Sequence, residues 1–363
     1  MNRQELHPRL CRLPAEWEPQ SAVQLTWPHA QTDWAPYLGD ITRTYVSLAE
    51  VISRYEPLLI AAQEPDAVRK LLPAQTPFPI AVVPCRNNDT WARDHAFITL
   101  TASGPEGSPS AHFLDFGFNG WGEKFPSDLD NALNRSLFSK GIFKGHYENH
   151  LDFILEGGSI ETDGEGTLYT TSQCLLAPHR NQPLSRPQIE EQLKQRLHVG
   201  RVVWLDYGNL IGDDTDGHID TIVRCAPANT LLYIRTEDTR DPHYEDLLAL
   251  RRQLEQLSAH VPEGAPSGLH LLPLPLPLPI FDGADRLPAT YANFLIVNGA
   301  VIVPVYGQSD LDAEACRIIG SAFPGRDIIP LDSRTIIRQH GSIHCITMQY
   351  PVHALDLTPF RDN

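Results

Sequence analysis

About five times along the chain, two strand-like runs joined by a tight turn are followed by an amphipathic helix and then by another apolar run, and this rhythm restricts the fold more than any other feature. Asn298-Gly299 separates Phe294–Val297 from Ala300–Val303, the dipeptide that favours a two-residue hairpin. Asp163-Gly164-Glu165-Gly166 separates Ser159–Thr162 from Thr167–Thr171, and Thr221–Cys225 with Thr230–Arg235 gives a third pair. Helical spacing of apolar residues follows at Ile41, Tyr45, Leu48, Ile52 and Tyr55; at Ile189, Leu193 and Leu197 after Pro187; and at Leu247, Leu250, Leu254 and Leu257 after Asp241-Pro242. Ser309 and Asp312 predict a capping box for a further helix, and Ser127–Ser139 predicts one more. The apolar runs Arg201–Tyr207, Leu269–Leu278 and Asp327–Leu331 each follow a helix. In Leu272–Pro279 leucine and proline alternate. All the missing N–H groups would then lie along one edge of a strand, which predicts an edge strand rather than polyproline II.

Chemically conspicuous residues fall at similar phases of this rhythm. Asp94, Glu156 and His218 are 62 residues apart in each step. Structural repetition with little sequence repetition is the expectation, and a ring of such units would bring residues distant in sequence to one axis. A length of 363 residues exceeds one ordinary core, so two domains or one repetitive domain are expected.

Charge narrows the partners. With 29 basic and 45 acidic residues the net charge is −16, which disfavours nucleic acid and anionic membranes and suits a cationic ligand, although on charge alone an aid to solubility is the plainer reading. No apolar run is long enough for a transmembrane span, and Met1–Pro14 has no signal-peptide core. The six cysteines (Cys11, Cys85, Cys174, Cys225, Cys316 and Cys345) lack zinc-ribbon or disulfide-scaffold spacing, so reduced thiols in a cytoplasmic protein are expected.

Four segments concentrate polar residues and glycine in apolar surroundings. In Asn88–His95, Trp91 stands near Asp89 and Asp94; a ring face and carboxylates can cradle a planar cation, although an Arg93–carboxylate pair over a buried Trp91 is the plainer alternative. Glu156-Gly157-Gly158-Ser159 follows an apolar strand and lets backbone approach a ligand. In Gly212–Asp220, His218 and Asp220 would share a strand face, as an acid–base pair or as alternate metal ligands. In Gly341–Gln349, Cys345 is the candidate nucleophile; a strand would turn the adjacent His344 away from it, which leaves His218 as its partner.

Together these segments resemble the agmatine deiminase family, the bacterial peptidylarginine deiminase-like branch of the guanidine-modifying pentein superfamily. The resemblance rests on Leu13–Pro19, NDTWARD (Asn88–Asp94), EGGS (Glu156–Ser159), TDGHID (Thr215–Asp220), ANFLIVNGAVIVPVYG (Ala292–Gly307) and GSIHCITMQ (Gly341–Gln349). It implies an α/β fold, a five-bladed α/β propeller of ββαβ units with pseudo-fivefold symmetry, as a single domain over residues 1–363. It also implies hydrolysis of agmatine to N-carbamoylputrescine and ammonia, a step of putrescine biosynthesis, without metal or cofactor. In that reading Cys345 is the nucleophile and His218 the acid/base, oriented by Glu156. Asp94 and Asp220 grip the guanidinium, and Trp91 lies against the substrate. Asp214 is assigned to the amine end, with a turn-stabilising role as its equal alternative. A homo-oligomer is a further expectation. Ala96, where glycine is expected, and His340-Gly341-Ser342 before the nucleophile depart from the pattern.

Three rivals stand beside this reading. A manganese ureohydrolase would use Asp216–Asp220, but its companion SxDxD spacing is missing. A non-catalytic binding protein on the same propeller would not need Cys345. A deiminase of free or peptidyl arginine shares the chemistry and differs only in substrate.

Overall fold

The computed structural model describes residues 11–103, 109–259 and 268–358. Five sheets carry the fold, and each repeats one plan. A first strand pairs antiparallel with a second; a helix follows, and a third strand returns parallel to the second. This is the ββαβ unit that the rhythm predicts.

The strand triples are Ile98–Ser103, Pro109–Gly117 and His146–Ile154; Ile160–Thr162, Thr167–Thr171 and Arg201–Leu205; Val223–Ala226, Thr230–Arg235 and His270–Pro275; and Leu295–Val297, Ala300–Val305 and Asp327–Asp332. The fifth sheet joins the two ends of the chain. Thr347–Pro351 lies antiparallel to Gln20–Thr26, which continues in parallel through Leu58–Ala62 and Ile80–Pro84. The C-terminal part of the chain thereby supplies the first strand of the sheet that the N-terminal part begins.

The helices between second and third strands are Leu38–Ile52, Asp128–Phe138, Arg186–Leu197, Tyr244–Ala259 and Ser309–Ala322. Their apolar stripes are the buried ones: Ile41, Tyr45, Leu48 and Ile52 in the first, Ile189, Leu193 and Leu197 in the third. The capping box expected at Ser309 does not form. Gln308 is the N-cap, and Asp312 reaches back to accept from its N–H at 2.8 Å and from Tyr306 N at 3.1 Å. The Leu–Pro run behaves as expected: His270–Pro275 is the edge strand of its sheet, hydrogen bonded on one side only. No helix among the described residues is long and apolar enough to cross a membrane.

The segments that lead into the five first strands carry the conspicuous residues. Ala92–His95 precedes one, Gly157–Ser159 the next, Ile219–Thr221 the third, Ala292–Phe294 the fourth and Ser342–Ile346 the fifth. Asp94, Glu156, His218, Asn293 and Cys345 therefore occupy equivalent places, and hydrogen bonds link these segments to one another. Arg93 N donates to Cys345 O at 3.1 Å, Asn293 Nδ2 to Asp220 O at 3.3 Å, and Gly158 N to Asp94 Oδ1 at 3.0 Å.

Candidate active site

Cys345 is buried, in the turn that precedes Thr347–Pro351 and not within the strand itself. Asn293 fixes that turn: its Oδ1 accepts from His344 N at 3.0 Å and from Cys345 N at 3.3 Å, and it lies 3.3 Å from Cys345 Sγ. The sulfur is also 3.7 Å from Asp220 Oδ2. Burial, reinforced by the charges of Asp220 and Asp94, pushes the thiol well above its ordinary range.

Asp94 lies within the short helix Ala92–His95. Its Oδ2 accepts from Trp121 Nε1 at 2.9 Å and its Oδ1 from Gly158 N. Burial, then Asp220 and Glu156, raise its carboxyl well above the usual range. Asp220 is just as buried, and desolvation pushes it up too, yet a hydrogen bond from His344 Nδ1 at 2.7 Å and nearby positive charge carry it below its ordinary value. Its Oδ1 has no partner. One of the two carboxylates is thus held ionised, and the other awaits a cation.

His218 does not lie in a strand with Asp220, as the spacing predicts. It caps the 3-10 turn Ile219–Thr221, because Thr215 Oγ1 accepts from its N–H at 3.1 Å and Thr221 Oγ1 donates to its carbonyl at 2.8 Å. Neither ring nitrogen is hydrogen bonded, and Nδ1 stands 3.7 Å from Asp94 Oδ1. Burial lowers its pKa to about 4, so the imidazole is neutral near pH 7 and free to accept a proton. Glu156 comes within 4.8 Å of His218 but makes no hydrogen bond to it; its carboxylate instead lies 2.8 Å from Arg180 Nε. Burial raises Glu156 and Arg180 partly offsets that.

Each of the two glycines after Glu156 has its own reason: a Cβ at Gly157 would lie 2.2 Å from Arg93 O, and Gly158 faces the site. A Cβ there would stand 2.6 Å from His218 Nδ1, 2.9 Å from Asp94 Oδ1 and 3.1 Å from Asp220 Oδ2. Backbone, with no side chain, is what the three groups can close around. Gly341 does the same for Trp91: a Cβ would lie 2.1 Å from its ring. At Ala96 the backbone is extended, with φ −79°, so the expected glycine is not required.

Asp94, Trp91, Trp121, Thr221 and Cys345 line one cavity, whose wall continues through Phe125, Asp33, Asp89, Asp213, Asp214, Thr215 and Gln339–Gly341. Burial lifts Asp89 to about 7 and Asp213 to about 6, and Asp213 is occupied by Thr215 and by Gly217 N. Asp214 lies in this wall; burial raises it, and His340 and Lys124 draw it back.

Four contributors escaped the sequence reading. Arg180 ties Glu156 to Asp216 at 2.9 Å and to Thr215 O at 2.9 Å. Trp121 holds Asp94 from a left-handed backbone position with φ 56°, an outlier for so large a side chain; its flanking glycines in Asn119–Gly122 were the available signal. Asn293 lay inside a quoted segment without a role. His344 was expected to turn away and instead bonds Asp220. The alternate-ligand reading of Asp216, His218 and Asp220 does not hold, since the Asp216 oxygens face Lys124 and Arg180.

The family model described as Porphyromonas-type peptidyl-arginine deiminase matches residues 12–351. The chain belongs to this family. Agmatine deiminase of Stutzerimonas stutzeri is 34% identical, across 93% of this chain and 95% of that protein. Among solved structures, a Porphyromonas gingivalis chain provisionally assigned as an arginine deiminase superposes with a TM-score of 0.88 at 47% identity, covering 95% of this chain and all of that one. The C. jejuni agmatine deiminase, solved as a Cys-to-Ser variant with substrate bound, also gives 0.88, at 35% identity, with 97% and 100% covered. Both solved structures superpose over nearly the whole of this fold.

Proposed function

We propose that the protein hydrolyses the guanidinium group of agmatine to N-carbamoylputrescine and ammonia, with Cys345 as nucleophile, and so serves putrescine formation in the cytoplasm. The observation that carries this reading is the meeting of Cys345, His218, Asp94 and Asp220 around the bare backbone of Gly158. A guanidinium is a poor electrophile, and two carboxylates that hold its N–H groups would set its carbon against sulfur. Burial first, and the neighbouring carboxylates second, push Asp94 and Cys345 towards their protonated forms; the arriving cation opposes this, so binding itself favours the thiolate. The thiol proton passes to neutral His218 as sulfur bonds to carbon. His218 returns it to a nitrogen, ammonia leaves, and a thiouronium remains on Cys345. Water then gives one proton to His218 and adds as hydroxide to the same carbon; the C–S bond breaks, the hydroxyl proton leaves to the released ammonia as the ureido product forms, and His218 returns its proton to the freed thiolate. Glu156, balanced by Arg180, stabilises His218 electrostatically, and Trp91 walls the planar group.

The far end of the cavity favours agmatine over arginine. Asp33, Asp89, Asp213 and Asp214 suit an ammonium, and the described lining residues include no Lys or Arg to receive a carboxylate. Asp214 or Asp89 is our choice for the amine. An arginine or peptidyl-arginine deiminase is the second reading, favoured by the description of the matching family and by the Porphyromonas gingivalis structure. Ammonia release from agmatine, arginine and a C-terminal arginine peptide distinguishes them: agmatine is expected to be turned over at least ~10²-fold more efficiently. A preference for either arginine substrate overturns the assignment.

A further inference from the structure

His344, next to the nucleophile, is absorbed by none of the roles above, and its surroundings are unusual. It is fully buried, and both ring nitrogens face carboxylates: Nδ1 is 2.7 Å from Asp220 Oδ2, and Nε2 is 2.9 Å and 3.1 Å from the two oxygens of Glu16. A neutral imidazole has one N–H, so one of these contacts would set lone pair against lone pair. Only the imidazolium donates on both sides. Glu16 also receives Arg93 Nη1 at 2.9 Å and Arg224 Nη2 at 2.5 Å, and Arg224 pairs with buried Glu161. With His344 protonated, three cations balance the three carboxylates of Asp220, Glu16 and Glu161. Cys345, His218 and Asp94 approach the network from the cavity side.

We propose that His344 is a positioning residue: donating from both ring nitrogens and anchored on Glu16, it holds Asp220 turned so that Oδ1 is left for the substrate guanidinium. The inference rests on the proposed substrate-gripping role of Asp220. His344 touches no reacting atom in this account and acts through Asp220 alone. Its anchor lies in the segment before the first sheet, so the N-terminal part of the chain takes part in the site.

Two readouts test this, and they fail separately. In the first, 15N-labelled imidazole resonances of the wild-type protein at pH 7–8 should show one histidine with both nitrogens protonated; the signal should vanish in His344→Asn and shift in Asp220→Asn. Neutral His344 overturns the inference whatever the substrate proves to be. In the second, kinetics with agmatine should show that His344→Asn raises KM at least ~10-fold, with a smaller loss in kcat. The acidic limb of kcat/KM should move to higher pH, because Asp220 has lost the donor that keeps it ionised. Glu16→Gln, a milder change, should shift the limb in the same direction by less. A folded His344→Asn or Glu16→Gln protein that loses thermal stability while KM and the pH profile stay unchanged gives His344 a merely structural role and overturns the proposal. Lack of wild-type turnover on every guanidine substrate would instead defeat the proposed function and leave the resonance test standing.

Discussion

Two clusters of buried charge meet where the five sheets converge, and consecutive residues divide between them. Asp94 and Cys345 face the cavity; their neighbours Arg93 and His344 face Glu16. Both sides are largely buried, with Glu16 alone keeping some exposure, but pairing differs. Behind the nucleophile, Glu16, Arg93, Arg224, Glu161 and His344 all have partners of opposite charge. On the other side, His218 has no hydrogen bond to its ring, Asp220 Oδ1 is unmatched, and Asp94 and Cys345 are pushed towards their protonated forms. A balanced network holds position, and an unbalanced one leaves a cation-shaped deficit for a substrate to fill.

This contrast can be broken or sharpened by substitution. Cys345→Ala should abolish ammonia release, by at least ~10⁴-fold, with little change in thermal unfolding; comparable turnover would remove the cavity's claim to chemistry. On the paired side, Arg224→Met should cost about 3–5 kcal/mol in denaturant unfolding, because it strands the buried carboxylate of Glu161 and removes one of the three cations on Glu16. A loss below about 1 kcal/mol would mean that the network is not balanced as described. Gly158→Ala should lower kcat/KM by ~10² or more, because its methyl group would collide with three site residues. Near-normal kinetics would show that those groups can separate without cost.

Opposite pH responses give a finer comparison. Burial pushes Glu16 up, but His344, Arg93 and Arg224 hold it well below its ordinary value; its contribution to stability is present above the unfolded pKa and lost as pH falls through the folded one. Asp94 is raised, so its contribution is present at low pH and lost as pH rises through its folded value. Thermal unfolding against pH should therefore flatten on the acid side in Glu16→Gln and on the alkaline side in Asp94→Asn. The same slope change in both would erase the distinction. The smallest effect belongs to the surface: Arg43→Ala, which loses only the exposed pair with Asp40, should change stability by less than about 0.5 kcal/mol.

The units of the fold were legible because local chemistry fixes them. Asn298-Gly299 makes its hairpin, the Leu–Pro run makes an edge, and the helical stripes bury most of the residues that the spacing marked, Leu257 being half-buried and Tyr55 lying past the end of its helix. Equal steps of 62 residues marked the first three site segments, but Asn293 lies 75 residues beyond His218 and Cys345 another 52, so the fourth unit carried no numerical signal. Side-chain direction was the other gap. His218–Asp220 and His344-Cys345 were given strand alternation, whereas both pairs lie in turns whose shape is set by Thr215, Thr221 and Asn293. Arg180 and Glu16 act through space on segments far away in sequence, and no local pattern marks either one.

The account depends on a bond between Cys345 sulfur and substrate carbon. Rapid acid quench of wild-type protein turning over agmatine, followed by intact-mass and peptide analysis, measures it directly. A mass gain equal to agmatine less ammonia, confined to the peptide that contains Cys345 and absent from Cys345→Ala, is the predicted result. Steady turnover with no such adduct, or with the adduct on another residue, would contradict it.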